Sequence, residues 1–104
     1  MPRFDVYQHP DAASRKLTPF LLDVQNSHIS GIATRVVVPL RTAGLVALPM
    51  RDLNPVLDVA GKKVVLDTTA LAAVPAAELK KAIGNLAPQS GVIAAALDAL
   101  FGAY

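Results

Sequence analysis

The stretch over residues 89–104 constrains the fold most, because it has the clearest helical pattern of the 104-residue chain. Its apolar residues recur at i, i+1, i+4, i+5 and i+8, which places them on one side of an α-helix. These residues are Val92, Ile93, Ala96, Leu97, Leu100 and Phe101. Pro88 is tolerated in a first turn, Ser90 is a competing N-cap, and Gly102 marks the expected end. The sequence therefore predicts a C-terminal helix with a short free end.

The opposite side of this helix is nearly uncharged, since only Asp98 interrupts its alanines. A helix that is apolar all round is buried on more than one side. In so small a chain we expect the second side to meet another protein chain, while the simpler interpretation of a purely internal helix stays open. Asp98 opposes the macrodipole near the C-terminus, so helix stability alone does not explain it.

Composition narrows the class of protein. Hydrophobic residues make up 53% of the chain, which disfavours disorder. The absence of Cys excludes disulfides, thiolate zinc sites and a Cys nucleophile, and it fits a reducing cytoplasm. The net charge is +2 and the Lys and Arg residues are scattered, which predicts a solvated surface rather than a nucleic-acid interface.

No signal peptide, membrane-spanning run, repeat or linker is recognisable in the sequence. We therefore expect a soluble, cytoplasmic protein with a single domain over residues 1–104.

The region before the helix has the alternation and β-branched content of strands. Strands are predicted at 3–7, 20–25 and 34–40, with a hairpin of 56–59 and 62–67 around Ala60-Gly61 and a short apolar segment at 71–75. Pro39 is expected at the end of its strand, where a missing N–H does least harm. Propensity alone favours a short helix over 76–86. This order predicts an α+β domain built on a small antiparallel barrel.

No catalytic constellation is visible. His9 and His28 lie in predicted loops without a second ligand at metal spacing, and Ser27 and His28 are neighbours that point apart on an extended chain. The carboxylates are spread out, and the glycines form neither a P-loop nor a dinucleotide fingerprint. The residues therefore favour a binding protein without metal or cofactor over an enzyme.

Several segments, taken in order, carry a resemblance to a known family. They are Phe4-Asp5-Val6-Tyr7, Leu22-Asp23-Val24-Gln25 followed by Asn26, Thr34-Arg35-Val36-Val37-Val38-Pro39-Leu40, Leu53-Asn54-Pro55-Val56, Thr68-Thr69, Ala73-Val74-Pro75 and the Ala-rich helix. Over essentially its whole length the chain resembles CcdB, the toxin of the CcdAB toxin–antitoxin pair. The resemblance implies a CcdB/MazF-type fold, mainly β, in which a small SH3-like barrel with a long C-terminal helix forms a homodimer. The family has extended, irregular chain at 76–86, and we prefer that expectation to the helix.

The resemblance also implies a function and its residues. Such a toxin binds the DNA gyrase A subunit and traps the gyrase–DNA cleavage complex without turning over a substrate. A CcdA-like antitoxin neutralises it, and the pair represses its own operon, so the toxin meets DNA only through antitoxin or gyrase. The implied gyrase-binding residues are Asn26, His28, Ile29, Asp98, Phe101, Gly102, Ala103 and Tyr104, and the implied dimer residues are Val92, Ile93, Ala96, Leu97 and Leu100.

The chain departs from the family at its end, where well-known members carry Trp-Gly-Ile. Alignment without a gap places Gly102, Ala103 and Tyr104 opposite these residues, whereas a shift by one matches Phe101-Gly102 to Trp-Gly. In the loop, Asn26 stands where the family often has Ser, and His28 where it has an apolar residue.

Two other functions stay open. One is a MazF/Kid-type endoribonuclease, whose opening Gly-Asp strand and later Arg-Pro pair are not visible here. The other is a non-toxic chromosomal CcdB homologue that acts only as an antitoxin-binding co-repressor.

Overall fold

The computed structural model describes residues 1–29, 31–45 and 49–102. Within these residues the elements are β1 (Asp5–Gln8), β2 (Phe20–Asp23), β3 (Thr34–Thr42), β4 (Val56–Val59), β5 (Lys62–Leu66), β6 (Ala72–Pro75), β7 (Ala82–Asn85) and α1 (Ser90–Phe101). The strands form one antiparallel sheet in the order β4-β5-β3-β2-β1-β7, with β6 also paired to β3. The sheet curls into a half-barrel against the C-terminal helix, and the predicted α+β fold class is confirmed.

β3 is the strand at which the sheet branches. One of its edges pairs with β2, while the other pairs with β6 over Thr34 to Val37 and with β5 over Leu40 to Thr42. Pro39 lies between these two partners, so the expectation that it ends the strand is wrong. Its carbonyl accepts the Asp67 N–H at 3.0 Å, which shows that its backbone faces the gap between β6 and β5. A missing N–H therefore removes no ladder bond there.

The main core lies between the inner face of the sheet and α1. Alternate residues of the strands point inward, because successive side chains of a strand face opposite sides. The fully or almost fully buried members include Val6, Leu22, Val38, Leu40, Leu57, Val64, Leu66, Ile93 and Ala96. A smaller apolar cluster of Tyr7, Leu21, Val37 and Leu79 covers the outer face.

Residues 76–86 do not form the helix that propensity favours. They begin with a 3-10 turn, Ala76–Glu78, and continue into strand β7, which pairs with β1. Burial of Leu79 in the outer cluster and pairing with β1 require an extended chain, and these tertiary contacts override local preference. The extended course expected from the family resemblance is correct.

The two ends of the helix are stabilised in different ways. Ser90 is its first residue rather than the N-cap, and Gln89 before it makes no side-chain cap. Instead, Gln89 Nε2 donates to the Asp58 carbonyl at 3.0 Å and its Oε1 accepts the Asp58 N–H at 3.2 Å, which occupies the edge of β4. At the other end Gly102 has φ +72°, and its N–H donates to the Asp98 carbonyl at 2.8 Å. The predicted stop at Gly102 is confirmed.

Candidate functional site

The connection between β2 and β3 forms a tight turn with exposed side chains. Asn26 Oδ1 accepts the His28 N–H at 2.9 Å, and the Asn26 carbonyl accepts the Ile29 N–H at 3.1 Å. Local bonding of this kind by Asn is typical of turns. All three residues are exposed, and Ile29 retains 45% of its accessible surface. The turn therefore has a bonded backbone and presents an apolar side chain outward.

A buried arginine holds this turn in place. Arg35 Nε lies 2.7 Å from Asp23 Oδ2, and its Nη2 lies 3.0 Å from Oδ1, so the pair is bidentate. Nη1 also donates to the Ile29 carbonyl at 3.1 Å, and Nη2 to the carbonyls of Gln25 at 3.3 Å and Met1 at 3.0 Å. The prediction that the basic residues are all solvated is wrong for Arg35, since burial here is compensated by a carboxylate and three carbonyls.

The N-terminal segment supports the same turn. The Arg3 N–H donates to Ser27 Oγ at 2.8 Å, and Arg3 Nε donates to the Val24 carbonyl at 2.9 Å. Gln25 is buried and bridges the two strands, because its N–H donates to Asp23 at 2.9 Å and its Oε1 accepts the Val36 N–H at 2.9 Å. Sequence reasoning missed Arg35 and Gln25, since nothing in the sequence signals that their side chains are buried.

The helix residues assigned to a dimer interface fall into two groups. Ile93 and Ala96 are 0% exposed and belong to the core of the protomer, so they have no surface left for a second chain. Their assignment to the interface is corrected for that reason. Val92 is 48% exposed, and Leu97 and Leu100 are half-buried. These three residues keep surface that a partner can cover.

The end of the helix is the most exposed apolar part of α1. Phe101 retains 68% of its accessible surface, and Asp98 and Gly102 are also exposed. Ala103 and Tyr104, assigned to the same site, lie outside the described residues. Within the described part of the helix end, residues 98–102, one aromatic side chain therefore lies near one carboxylate.

Exposed apolar surface continues from the helix onto β4. Met50 lines a surface depression together with Ala99 of α1, and a second depression together with Val56 and Val65. Met50 and Val56 are themselves largely exposed. The helix and the strand thus share a surface that is partly apolar and also contains Arg51 and Asp52. Exposed apolar area of this kind is a feature of protein-interaction sites.

The turn and the helix end are separate within the protomer. The turn is bonded to Arg3 and Arg35, whereas α1 lies against Thr68–Ala70 and the 50–53 segment. Across the described ranges, no hydrogen bond or ion pair joins the two sets of assigned residues.

A cavity of about 400 Å³ on the outer face of the sheet is the candidate for a catalytic site. Leu21, Val37 and Pro39 are among the apolar residues that line it, and its ionisable residues are His9, Asp11 and Glu78. Among the described residues no Lys or Arg lines this cavity, but Arg15, Lys80 and Lys81 line a neighbouring depression that shares Pro10 and Glu78 with it.

Two of the three ionisable side chains at the cavity, those of His9 and Asp11, are engaged in local structure. His9 Nδ1 accepts the Asp11 N–H at 3.0 Å. Asp11 accepts from Ser14 Oγ at 2.9 Å and from the Ala13 N–H at 3.1 Å, and these bonds hold the pKa of its carboxyl below the usual value. These bonds close the loop that carries His9 and Asp11.

Among the residues the structure describes, no group of three or more His, Asp or Glu side chains is placed to hold a metal ion. In that part of the chain there is also no helix with the length and apolar character to cross a membrane.

Comparison with protein families gives a match over residues 3–102 to the family described as CcdB protein. No curated protein matches the chain significantly. Membership of that family implies the toxin of a toxin–antitoxin pair, which acts by binding protein rather than as an ordinary enzyme. The match spans nearly the whole chain and agrees with the curled sheet and its C-terminal helix, so the chain belongs to the CcdB family.

Proposed function

We propose that this chain is a toxin that binds the DNA gyrase A subunit and traps the gyrase–DNA cleavage complex, and that a CcdA-like antitoxin neutralises it. The observation that carries the proposal is the aromatic end of α1, where Phe101 is 68% exposed. Large aromatic side chains are enriched among the residues that dominate binding energy at protein interfaces. An exposed Phe at a helix end is therefore suited to anchor a partner.

The geometry of the helix end favours the alignment of Phe101-Gly102 with the family's Trp-Gly. Phe101 is the last helical residue, and Gly102 adopts the left-handed conformation that only glycine takes readily. In this alignment the family's aromatic anchor is replaced by another aromatic residue, and the chain extends one residue further. Binding to gyrase is thus expected to survive the change in sequence.

The β2–β3 turn supplies the second part of the proposed gyrase site. Asn26, His28 and Ile29 are exposed on a turn whose backbone is hydrogen-bonded. An apolar side chain flanked by polar groups matches the usual make-up of an interface, in which a dry centre is surrounded by a polar rim.

The proposed assembly is a homodimer that uses the apolar surface shared by α1 and β4. On α1, Val92, Leu97 and Leu100 keep exposed apolar area, and Val56 and Met50, which lies beside Ala99, add to it. A two-fold axis places the same patch of both protomers in contact, so an apolar patch becomes self-complementary. Asp98 and Phe101 then remain for gyrase.

A gyrase cleavage assay tests the proposal. Purified protein is incubated with gyrase, ATP and supercoiled DNA, and linear DNA is measured after protein denaturation. We expect linear DNA with the wild-type chain and its loss with Phe101→Ala. Ile83→Ala removes a similarly exposed apolar side chain from β7 and should keep full activity.

Absence of linear DNA with a folded, antitoxin-binding wild-type protein would contradict the gyrase proposal. An RNA cleavage gel would then separate an endoribonuclease from a non-toxic co-repressor.

A further inference from the structure

We infer that Arg35 is a positioning residue that fixes the turn at 26–29 in its partner-binding conformation. The partner is the one in the proposed function, so this inference rests on that proposal. Arg35 lies on β3 and is almost fully buried, which means that it acts on a partner only through the turn.

The guanidinium holds the turn from both of its ends. Nη2 donates to the Gln25 carbonyl just before the turn at 3.3 Å, and Nη1 donates to the Ile29 carbonyl at its end at 3.1 Å. The turn contributes its own bond from the Ile29 N–H to the Asn26 carbonyl at 3.1 Å. One planar group with a fixed arrangement of donors therefore links the two ends of the turn, while the Arg3 N–H bonds Ser27 Oγ between them.

Asp23 sets the orientation of that planar group. Its two oxygens accept from Nε at 2.7 Å and from Nη2 at 3.0 Å, and the carboxylate is 0% exposed. A bidentate pair fixes direction as well as distance, which leaves Nη1 pointing at the turn. A Lys at this position has one compact ammonium group and lacks the planar fork, so it is unable to reproduce the arrangement.

A turn that is ordered before binding has a higher affinity for its partner than a turn that becomes ordered only on binding. Ordering of loops and side chains on association reduces affinity, and a conformation fixed beforehand removes that cost. In this turn the backbone is fixed while the side chains of His28 and Ile29 face solvent. Arg35 therefore contributes to affinity without contacting the partner.

The test compares Arg35→Lys with Leu57→Ala. Leu57 is a buried β4 residue in the main core, so its truncation lowers stability without touching the turn. Amide hydrogen exchange of residues 26–29 is measured in the free protein, and Kd for the gyrase A subunit is measured by surface plasmon resonance. We expect Arg35→Lys to speed exchange in the turn and weaken binding by about tenfold or more, with neither effect in Leu57→Ala.

Each other outcome is decisive. Unchanged exchange in Arg35→Lys would overturn the positioning role. Faster exchange with unchanged Kd would overturn its importance for the partner. Equal weakening by Leu57→Ala would show a general effect of stability and would also overturn it. If the wild-type chain fails to bind gyrase, the proposed function is lost, whereas the exchange data still decide whether Arg35 fixes the turn.

Discussion

At the scale of single residues, the buried Arg35–Asp23 ion pair is the contact whose disruption is expected to affect stability most. Both side chains are buried, and their mutual position is fixed by two short hydrogen bonds. A buried ion pair contributes little net stability compared with apolar packing, but a single partner left behind is a buried charge without compensation. Removal of one partner of the Arg35–Asp23 pair is therefore expected to lower the free energy of unfolding far more than removal of one partner of an exposed pair.

We predict that Asp23→Ala lowers the free energy of unfolding by about 3–5 kcal/mol, because Arg35 is left buried and unpaired. The matched control is Asp58→Ala, whose ion pair with Lys63 lies on the surface and is expected to contribute less than about 1 kcal/mol. Urea denaturation followed by circular dichroism measures both values. Similar losses for the two variants would contradict the prediction.

Tyr7 gives a prediction for alkaline pH. Burial raises the pKa of its hydroxyl above the usual value, and the charges of Asp5 and Asp23 add to this against the opposing effect of Arg35. Since the folded-state pKa is the higher one, its contribution to stability is complete below about pH 10 and is lost as pH rises through the folded pKa.

The measurement is an ultraviolet titration in which the Tyr7→Phe curve is subtracted from the wild-type curve. We expect the difference to show ionisation above the pKa of an ordinary tyrosine. A difference curve centred at the ordinary value would contradict the prediction.

At the scale of elements, the end of α1 determines how the chain reaches its proposed partner. Gly102 has φ +72°, and a residue with a Cβ is strained by about 1–2 kcal/mol in that conformation. We predict that Gly102→Ala loosens the last helical turn and displaces Phe101, with faster amide exchange at 99–102 and weaker gyrase binding.

Gly91→Ala is the matched control for Gly102→Ala. A Cβ added at either glycine meets open space, but Gly91 lies in the first turn of α1 and its φ is not positive. This variant should keep the helix end unchanged. If both variants loosen the last turn alike, the left-handed conformation of Gly102 is not the cause.

The same helix shows what a sequence is able to predict. Its period and its terminal glycine are local signals, and both its existence and its end agree with the structure. By contrast, β7 was missed, because it is extended through pairing with β1, about 80 residues earlier, and through burial of Leu79. Pairings so distant along the chain leave no local pattern.

The candidate site was predictable only in part. The exposed helix end follows from local pattern, and the turn from its Asn and Ser residues. The Arg35 contacts were not predictable, since Asp23 lies 12 residues away on another strand and a buried arginine resembles a solvated one in sequence. Ile93 and Ala96 were misassigned because a helix apolar all round does not reveal which side faces its own core.

At the scale of the whole molecule, the shared apolar surface of α1 and β4 determines the proposed assembly. We predict that Val92→Asp leaves the protomer folded but shifts the equilibrium from dimer to monomer, because Val92 is an exposed apolar residue of α1. Sedimentation velocity at several concentrations measures the change. Ile83→Asp, also at an exposed apolar position but on β7, should not alter the sedimentation coefficient.

An unchanged dimer in Val92→Asp would exclude this part of α1 from the interface. A monomeric wild-type chain at all concentrations would contradict the homodimer itself. A melting temperature that rises with concentration in the wild type and not in Val92→Asp would support the interface independently, since association stabilises the folded state.

The branching of the sheet on β3 links local binding to global stability. β2, β5 and β6 all pair with this one strand, so neither arm of the sheet opens without exposing it. The turn at 26–29 connects β2 directly to β3. A partner bound there therefore opposes opening of the strands that pair with β3, and its occupancy is expected to protect β2, β3, β5 and β6 from proteolysis rather than the turn alone.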